Sequence, residues 1–354
     1  MKHRIMKHCI KLLLLTLILI STSPAMAKDN FKICWSIYVG WMPWDHGKNS
    51  GIVKKWADKY DINIDVVQIN DYVESINQYT TDAYDGCAMT NMDALTIPAA
   101  GGVDSTALIV GDFSNGNDGI VLKGTRNLKD IKGQKVNLVE LSVSHYLLAR
   151  ALDSVGLKEK DLKVINTSDA DMIAIYGTKG TTAVTTWNPL LSEIVAMPNS
   201  HKVFDSSQIP GEIIDLMVVN TETLKSNPKF GKALTGAWYE ILNTMKGDSN
   251  SARKIRTALG KASGTDLKGY DAQLATTKMF YTPGDAVKFT TSSELKKTMQ
   301  YVAEFSFEHG LLGDGAPDAG VIGIETPAGV YGNKDNIKLR FNPSYMQMAA
   351  DGKL

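Results

Sequence analysis

Cysteine is nearly absent from this 354-residue chain, which carries only Cys9, Cys34 and Cys87. So few cysteines exclude a disulfide framework and any thiolate-built metal cluster. The signatures of the common catalytic machineries are missing as well. There is no G-x-S-x-G elbow, no glycine-rich phosphate loop ending in Lys-Ser/Thr, and no H-E-x-x-H pair. His46, His145, His201 and His309 are scattered, without the paired spacing of a metal site. Charge of one sign is not in excess, because 38 Lys plus Arg face 38 Asp plus Glu. No basic surface for nucleic acid or anionic lipid is implied.

Long apolar runs are also lacking, apart from one near the start. Residues 12–20 form a short apolar run behind Lys2, Arg4, Lys7 and Lys11, and Ala25-Met26-Ala27 follows. This is the layout of a cleavable signal peptide over 1–27. A bilayer core needs about 20 apolar residues, so the run is too short for an anchor. Cys9 precedes the run and is not placed to carry a lipid. The expectation is a periplasmic protein with no membrane insertion after cleavage. Removal of 1–27 leaves 34 basic against 38 acidic residues, a net charge of −4. Cys34 and Cys87 remain, either paired across neighbouring strands or, as the simpler reading, buried as two small apolar side chains.

What is present is alternation. Apolar strand-like runs at 31–38, 62–69, 85–90 and 106–110 interleave with amphipathic stretches at 51–60 and 71–80, the pattern of βαβ units. A second set follows, with strands at 135–139, 163–166 and 182–186 and helices at 143–155, 170–176 and 190–195. Residues 213–220 read as a strand returning to the first unit, and from Pro228 onward the pattern is helical. An open α/β fold is therefore expected, with lobe 1 built from 28–117 and 219–354 and lobe 2 from 118–218.

In open α/β sheets ligands bind at the carboxyl ends of strands. Six loops occupy those ends: 38–46, 90–96, 111–119, 140–146, 185–189 and 209–215. They contain seven acids, Asp45, Asp93, Asp112, Asp118, Glu140, Glu212 and Asp215, and no Lys or Arg. Asn91, Ser114, Asn117, Ser142 and Asn188 add neutral hydrogen-bonding groups, and Tyr38, Trp41, Trp44 and Trp187 add aromatic faces. Any one acid could instead cap a helix or close a turn. Together they suit a small cation, which gains about 0.5–2 kcal/mol over an indole face and charge-assisted hydrogen bonds from carboxylates. The ligand-binding set is read as Trp41, Trp44, Asn91, Asp93, Asp112, Glu140, Ser142, Trp187 and Glu212. Trp56 and Trp238 lie on apolar helical faces and read as core.

The stretches Tyr38-Val39-Gly40-Trp41-Met42-Pro43-Trp44, Thr90-Asn91-Met92-Asp93-Ala94-Leu95 and Glu140-Leu141-Ser142-Val143-Ser144-His145-Tyr146, with the run from Gly111 to Gly119, carry a resemblance. The chain resembles the nitrate/taurine-type substrate-binding proteins of ABC importers, and within them the subgroup linked with urea and guanidine utilisation. The resemblance implies two lobes, each a mostly parallel sheet flanked by helices, and a ligand cleft that closes by a hinge. It also implies a monomer that works with permease and ATPase subunits in nitrogen uptake, with neither catalysis nor a cofactor. Anion-binding members are expected to bring a basic residue to the cleft, and none stands in these loops. Guanidinium, which only donates hydrogen bonds, fits a ring of acceptors better than urea does. Urea and a neutral aminopyrimidine remain the alternatives. The pyrimidine-synthase enzymes of the same fold are disfavoured, because no histidine cluster or cysteine-rich stretch is present.

Overall fold

The computed structural model describes residues 29–354, and the expected signal peptide lies outside the described residues. Fourteen strands form two sheets: β1 Asp29–Trp35, β2 Ile62–Gln68, β3 Gly86–Thr90, β4 Ser105–Ser114, β5 Asp118–Lys123, β6 Lys135–Leu138, β7 Lys163–Asn166, β8 Ala183–Trp187, β9 Ser200–Asp205, β10 Ile214–Asn220, β11 Thr277–Met279, β12 Gly323–Thr326, β13 Gly329–Tyr331 and β14 Ile337–Phe341. The larger sheet runs β13-β12-β14-β4-β10-β3-β1-β2, with β11 added to β4, and the smaller runs β7-β6-β8-β5-β9. Each contains a parallel βαβ set, β2-β1-β3 in one and β7-β6-β8 in the other. In each an antiparallel strand joins the set, β10 in the larger and β5 in the smaller. This is the two-lobed α/β architecture expected from the alternation.

Helices cover both faces of the central strands, so β3 is buried throughout and β4 nearly so. Such strands read as continuous apolar runs rather than as alternation. Phe31 stacks on Phe230 with ring centroids 4.4 Å apart. That contact seats the long helix Pro228–Met245 against β1.

Cys34 and Cys87 are directly opposite one another on β1 and β3 and are joined by a disulfide, with Cα atoms 4.4 Å apart. The reading of two unpaired buried cysteines is thereby corrected. Its cause is register, which two isolated cysteines in a sequence do not reveal.

The chain passes between the sheets twice, from Ser114 to Asp118 and from Asp205 to Ile214. All of β10 pairs within the larger sheet, so residues 214–218, assigned from the sequence to the second lobe, hydrogen-bond in the first. The strand returns to the first unit as its position predicts, and only the lobe boundary drawn at 218 falls inside it. The two passages are tied together, since the Ser114 hydroxyl meets the Ser206 hydroxyl at 2.6 Å and the Gly116 amide donates to Ser206 Oγ at 2.8 Å.

Candidate functional site

Between the lobes, the carboxyl ends of strands from both sheets converge on a small cavity. It is lined by Tyr38, Trp41, Tyr72, Thr90, Ile213 and Asp215 from the larger lobe and Asp118, Val143 and Trp187 from the smaller. Its free volume is about 10 Å³, on the order of a single water, so the lobes are drawn together around it. Two wider grooves, of about 550 and 640 Å³, lie elsewhere. The first contains Arg340, which is engaged by Asp104 and Glu325. Neither combines buried acids with aromatic walls.

Local sequence explains the convergence. Asp71 caps the helix Tyr72–Thr80, Thr90 caps the short helix Asn91–Ala94, and Ser142 caps the helix Val143–Ser154. Thr90 ends β3, and Asp71 and Ser142 stand in the short loops after β2 and β6, so Tyr72, Thr90 and Val143 arrive together at the crevice. The aromatic wall is continuous. Tyr38 and Trp41 have ring centroids 4.9 Å apart, Trp41 and Tyr72 5.5 Å, and Tyr72 and Trp187 5.6 Å. Trp187 spans the lobes, its indole N–H donating to the Ile37 carbonyl at 3.4 Å. Gly40 leaves room beneath the wall, because a Cβ there would stand 2.5 Å from Tyr38 and 2.7 Å from Asp112 Oδ2.

Below the aromatics lies buried acid. Asp112 and Asp118 flank the first passage between lobes and Asp215 begins β10 after the second. All three are buried. Asp215 pairs across strands with Asp112, and the Tyr38 hydroxyl donates to Asp112 Oδ1 at 3.0 Å. The Ser114 hydroxyl donates to Asp118 Oδ2 at 2.5 Å. Burial pushes the Asp118 carboxyl up to about 7, with the Ser114 hydrogen bond opposing. Asp112 and Asp215 are raised by burial, and Asp215 is raised further by the charge of Asp112. Asp93, also buried, accepts from the Tyr72 hydroxyl at 2.6 Å and from the Thr90 hydroxyl at 2.8 Å. Burial lifts it to about 6 against those two donors. No lysine or arginine lines the cavity. Among the described residues no group of His, Cys, Asp and Glu is arranged to hold a metal ion.

The residues singled out from the sequence divide accordingly. Trp41 and Trp187 line the cavity, Asp112 supports its floor, and Asp93 holds Tyr72 and Thr90 in place. Trp44 lies one layer deeper, packed on Trp238 with centroids 5.0 Å apart, and so belongs to the core. The Asn91 carboxamide accepts from the Ile214 amide and donates to the Glu212 carbonyl, stitching β10 to its neighbour. Both hydrogen-bonding roles of Ser142 are local, to the Val139 carbonyl and from the Ser144 amide. Glu140 is exposed, beside Leu141 with its left-handed backbone. Glu212 is held by Arg150 at 2.8 and 3.0 Å and by the Tyr146 hydroxyl at 2.6 Å. That arginine lies in the body of the helix Val143–Ser154, outside the strand-end loops, so a survey of loop charges misses it. Tyr72 was missed too, although its place directly after an Asp cap at a strand end was the available signal.

Comparison with known proteins agrees with the fold. The profile of the NMT1/THI5-like family matches residues 50–244, more than half of the chain. The fold is a two-lobed α/β architecture. The chain belongs to the NMT1/THI5-like family. A Brucella abortus protein assigned as a binding protein is 26% identical over 142 residues, covering 37% of this chain and 44% of that protein. The match thus spans less than half the length of the curated relatives. Among solved structures, the alkanesulfonate-binding protein of Xanthomonas axonopodis pv. citri bound to MOPS superposes with a TM-score of 0.67 at 15% identity, over 82% of this chain and 96% of that one. The periplasmic aliphatic sulphonate-binding protein of Escherichia coli gives 0.67 at 16% identity, over 88% and 97%. The periplasmic nitrate-binding protein of Synechocystis PCC 6803 gives 0.57 at 14%, over 92% and 99%. At these identities the likeness is one of fold.

Proposed function

We propose that the protein is the periplasmic substrate-binding component of an ABC importer and captures a small guanidino or amidinium-type cation, guanidinium foremost, between its lobes. It would hand this cargo to permease and ATPase subunits as a monomer. The observation that carries the reading is the buried Asp112–Asp118–Asp215 cluster, walled by Tyr38, Trp41, Tyr72 and Trp187 and without a basic residue in the lining. Buried carboxylates are costly unless a cation or a proton compensates them. An alkanesulfonate or nitrate would add a further negative charge to the same place. The names of the structural neighbours therefore do not carry over to the ligand.

With about 1.5 kcal/mol as the ceiling per heavy atom, a four-atom ligand reaches a dissociation constant of some tens of micromolar. Urea is the second reading, and one observation favours it. The Trp41 indole N–H is buried without a partner and could donate to a carbonyl oxygen. Competition between guanidinium and urea, read by quenching of the Trp41 and Trp187 fluorescence, separates the two. Guanidinium should win by at least tenfold, and preference for urea would move the assignment to the neutral ligand.

A further inference from the structure

Asp112 and Asp215 stand directly opposite each other on β4 and β10, and both carboxyl groups are buried. Two like charges buried side by side with no cation between them cannot both stay ionised, so the pair holds a proton. The Oδ2 atoms of both residues are buried and have no hydrogen-bond partner. The surrounding elements offer no substitute for that proton. Tyr38, from the loop after β1, already gives its hydroxyl to Asp112 Oδ1. Asp118 on β5 adds a like charge. Tyr270 and Tyr281 lie near the same acid, and Arg256 beside those tyrosines is engaged by Asp271 at 2.6 Å. Asp215 also lines the ligand cavity, so an incoming cation meets the carboxyl that shares the proton.

We infer that capture of a cation expels the proton shared by Asp112 and Asp215, so that each cation bound is exchanged for one proton. This rests on the cationic reading of the site. The cation enters, the O–H bond of the shared proton breaks, and the proton leaves to solvent. The net charge of the buried site is unchanged, which spares the interior both a bare carboxylate pair and an added positive charge. A neutral ligand such as urea has no charge to trade and leaves the proton in place.

Calorimetry of guanidinium chloride into the mature protein at pH 6.5, in two buffers of very different ionisation enthalpy, measures the exchange. The apparent enthalpies should differ by the amount one released proton gives to each buffer. Affinity should rise by up to tenfold from pH 5.5 to 6.5. Asp215→Asn should remove the buffer dependence. Equal enthalpies in the two buffers, with guanidinium bound, overturn the exchange and leave the cation reading standing. Proton release on binding urea overturns it as well. A protonated-carboxyl infrared band that Asp215→Asn removes should be present in the ligand-free wild type at pH 6 and vanish on saturation. Its absence from the ligand-free protein overturns the inference, whether or not guanidinium binds.

Discussion

Asp118 and Trp187 are cross-strand neighbours on β5 and β8 that both line the small cavity, and they perform different work there. Asp118 supplies charge, and loss of a charged hydrogen-bond partner costs about 1.5–3 kcal/mol. Asp118→Asn should therefore weaken guanidinium at least tenfold by calorimetry. Trp187 supplies an aromatic face worth about 0.5–2 kcal/mol to a cation, so Trp187→Ala should weaken binding roughly 2- to 30-fold. Glu140 is exposed and outside the cavity, and Glu140→Gln should leave affinity unchanged. An equal loss in Glu140→Gln and Asp118→Asn would mean that the ligand sits elsewhere. The raised carboxyls also set a pH dependence of stability. Asp93 and Asp118 titrate near 6 and near 7 in the folded chain, above the usual carboxylate value, so the folded state holds protons that the unfolded state has lost. Their contribution to stability is greatest at low pH and declines as pH rises toward 7. The melting temperature of the ligand-free wild type should accordingly fall between pH 5.5 and 7.5 more steeply than that of Asp118→Asn.

At the scale of elements, β1 and β3 are joined both by hydrogen bonds and by the Cys34–Cys87 disulfide, which closes a long loop in the unfolded chain. Loss of such a cross-link typically costs about 2–5 kcal/mol. The double variant Cys34→Ser, Cys87→Ser should melt several degrees lower, with ligand affinity little changed because neither sulfur reaches the cavity. A wild-type melting temperature in the double variant would mean that the bridge adds nothing to the fold. Strands and helices near the site were largely legible in the sequence. The 3.6-residue period placed a helix at 51–60, found at Ile52–Lys59, and another at 143–155, found at Val143–Ser154. The helix Pro43–Asn49 was not legible, since its seven residues include three buried ones without an amphipathic period. The strands β12 to β14 at one end of the larger sheet were hidden for a related reason. They are short, and β13 is only half buried along its length, so alternation has little room to show. Among the acids, strand-end position identified Asp112, Asp118 and Asp215 as neighbours of a crevice. It did not show that Arg150 would come from a helix to take Glu212, because tertiary pairings are not written in loop composition.

For the molecule as a whole, both passages between the lobes run beside the acids, so binding and hinge geometry are coupled in place. Contacts across the cleft hold the closed arrangement. Trp187 reaches the Ile37 carbonyl, Asn117 donates to Thr277 at 2.9 Å, and Glu159 stands 3.1 Å from both His145 and His309. With free volume for little more than one water, ligand entry requires the lobes to part and closure to follow. Small-angle scattering should show a smaller radius of gyration with saturating guanidinium than without. An unchanged radius would place capture in a rigid, already closed cleft. Of the described residues, no helix is long and apolar enough to cross a membrane. The central claim is that this cleft selects a small cation by means of buried acid and aromatic faces. The most direct test is isothermal titration calorimetry of the purified mature protein against guanidinium, urea, nitrate and an alkanesulfonate in one buffer at pH 7.5. Saturable binding of guanidinium in the micromolar range, at least tenfold tighter than urea and with no heat from either anion, is the predicted result. Tight binding of nitrate or the sulfonate with no response to guanidinium would contradict it.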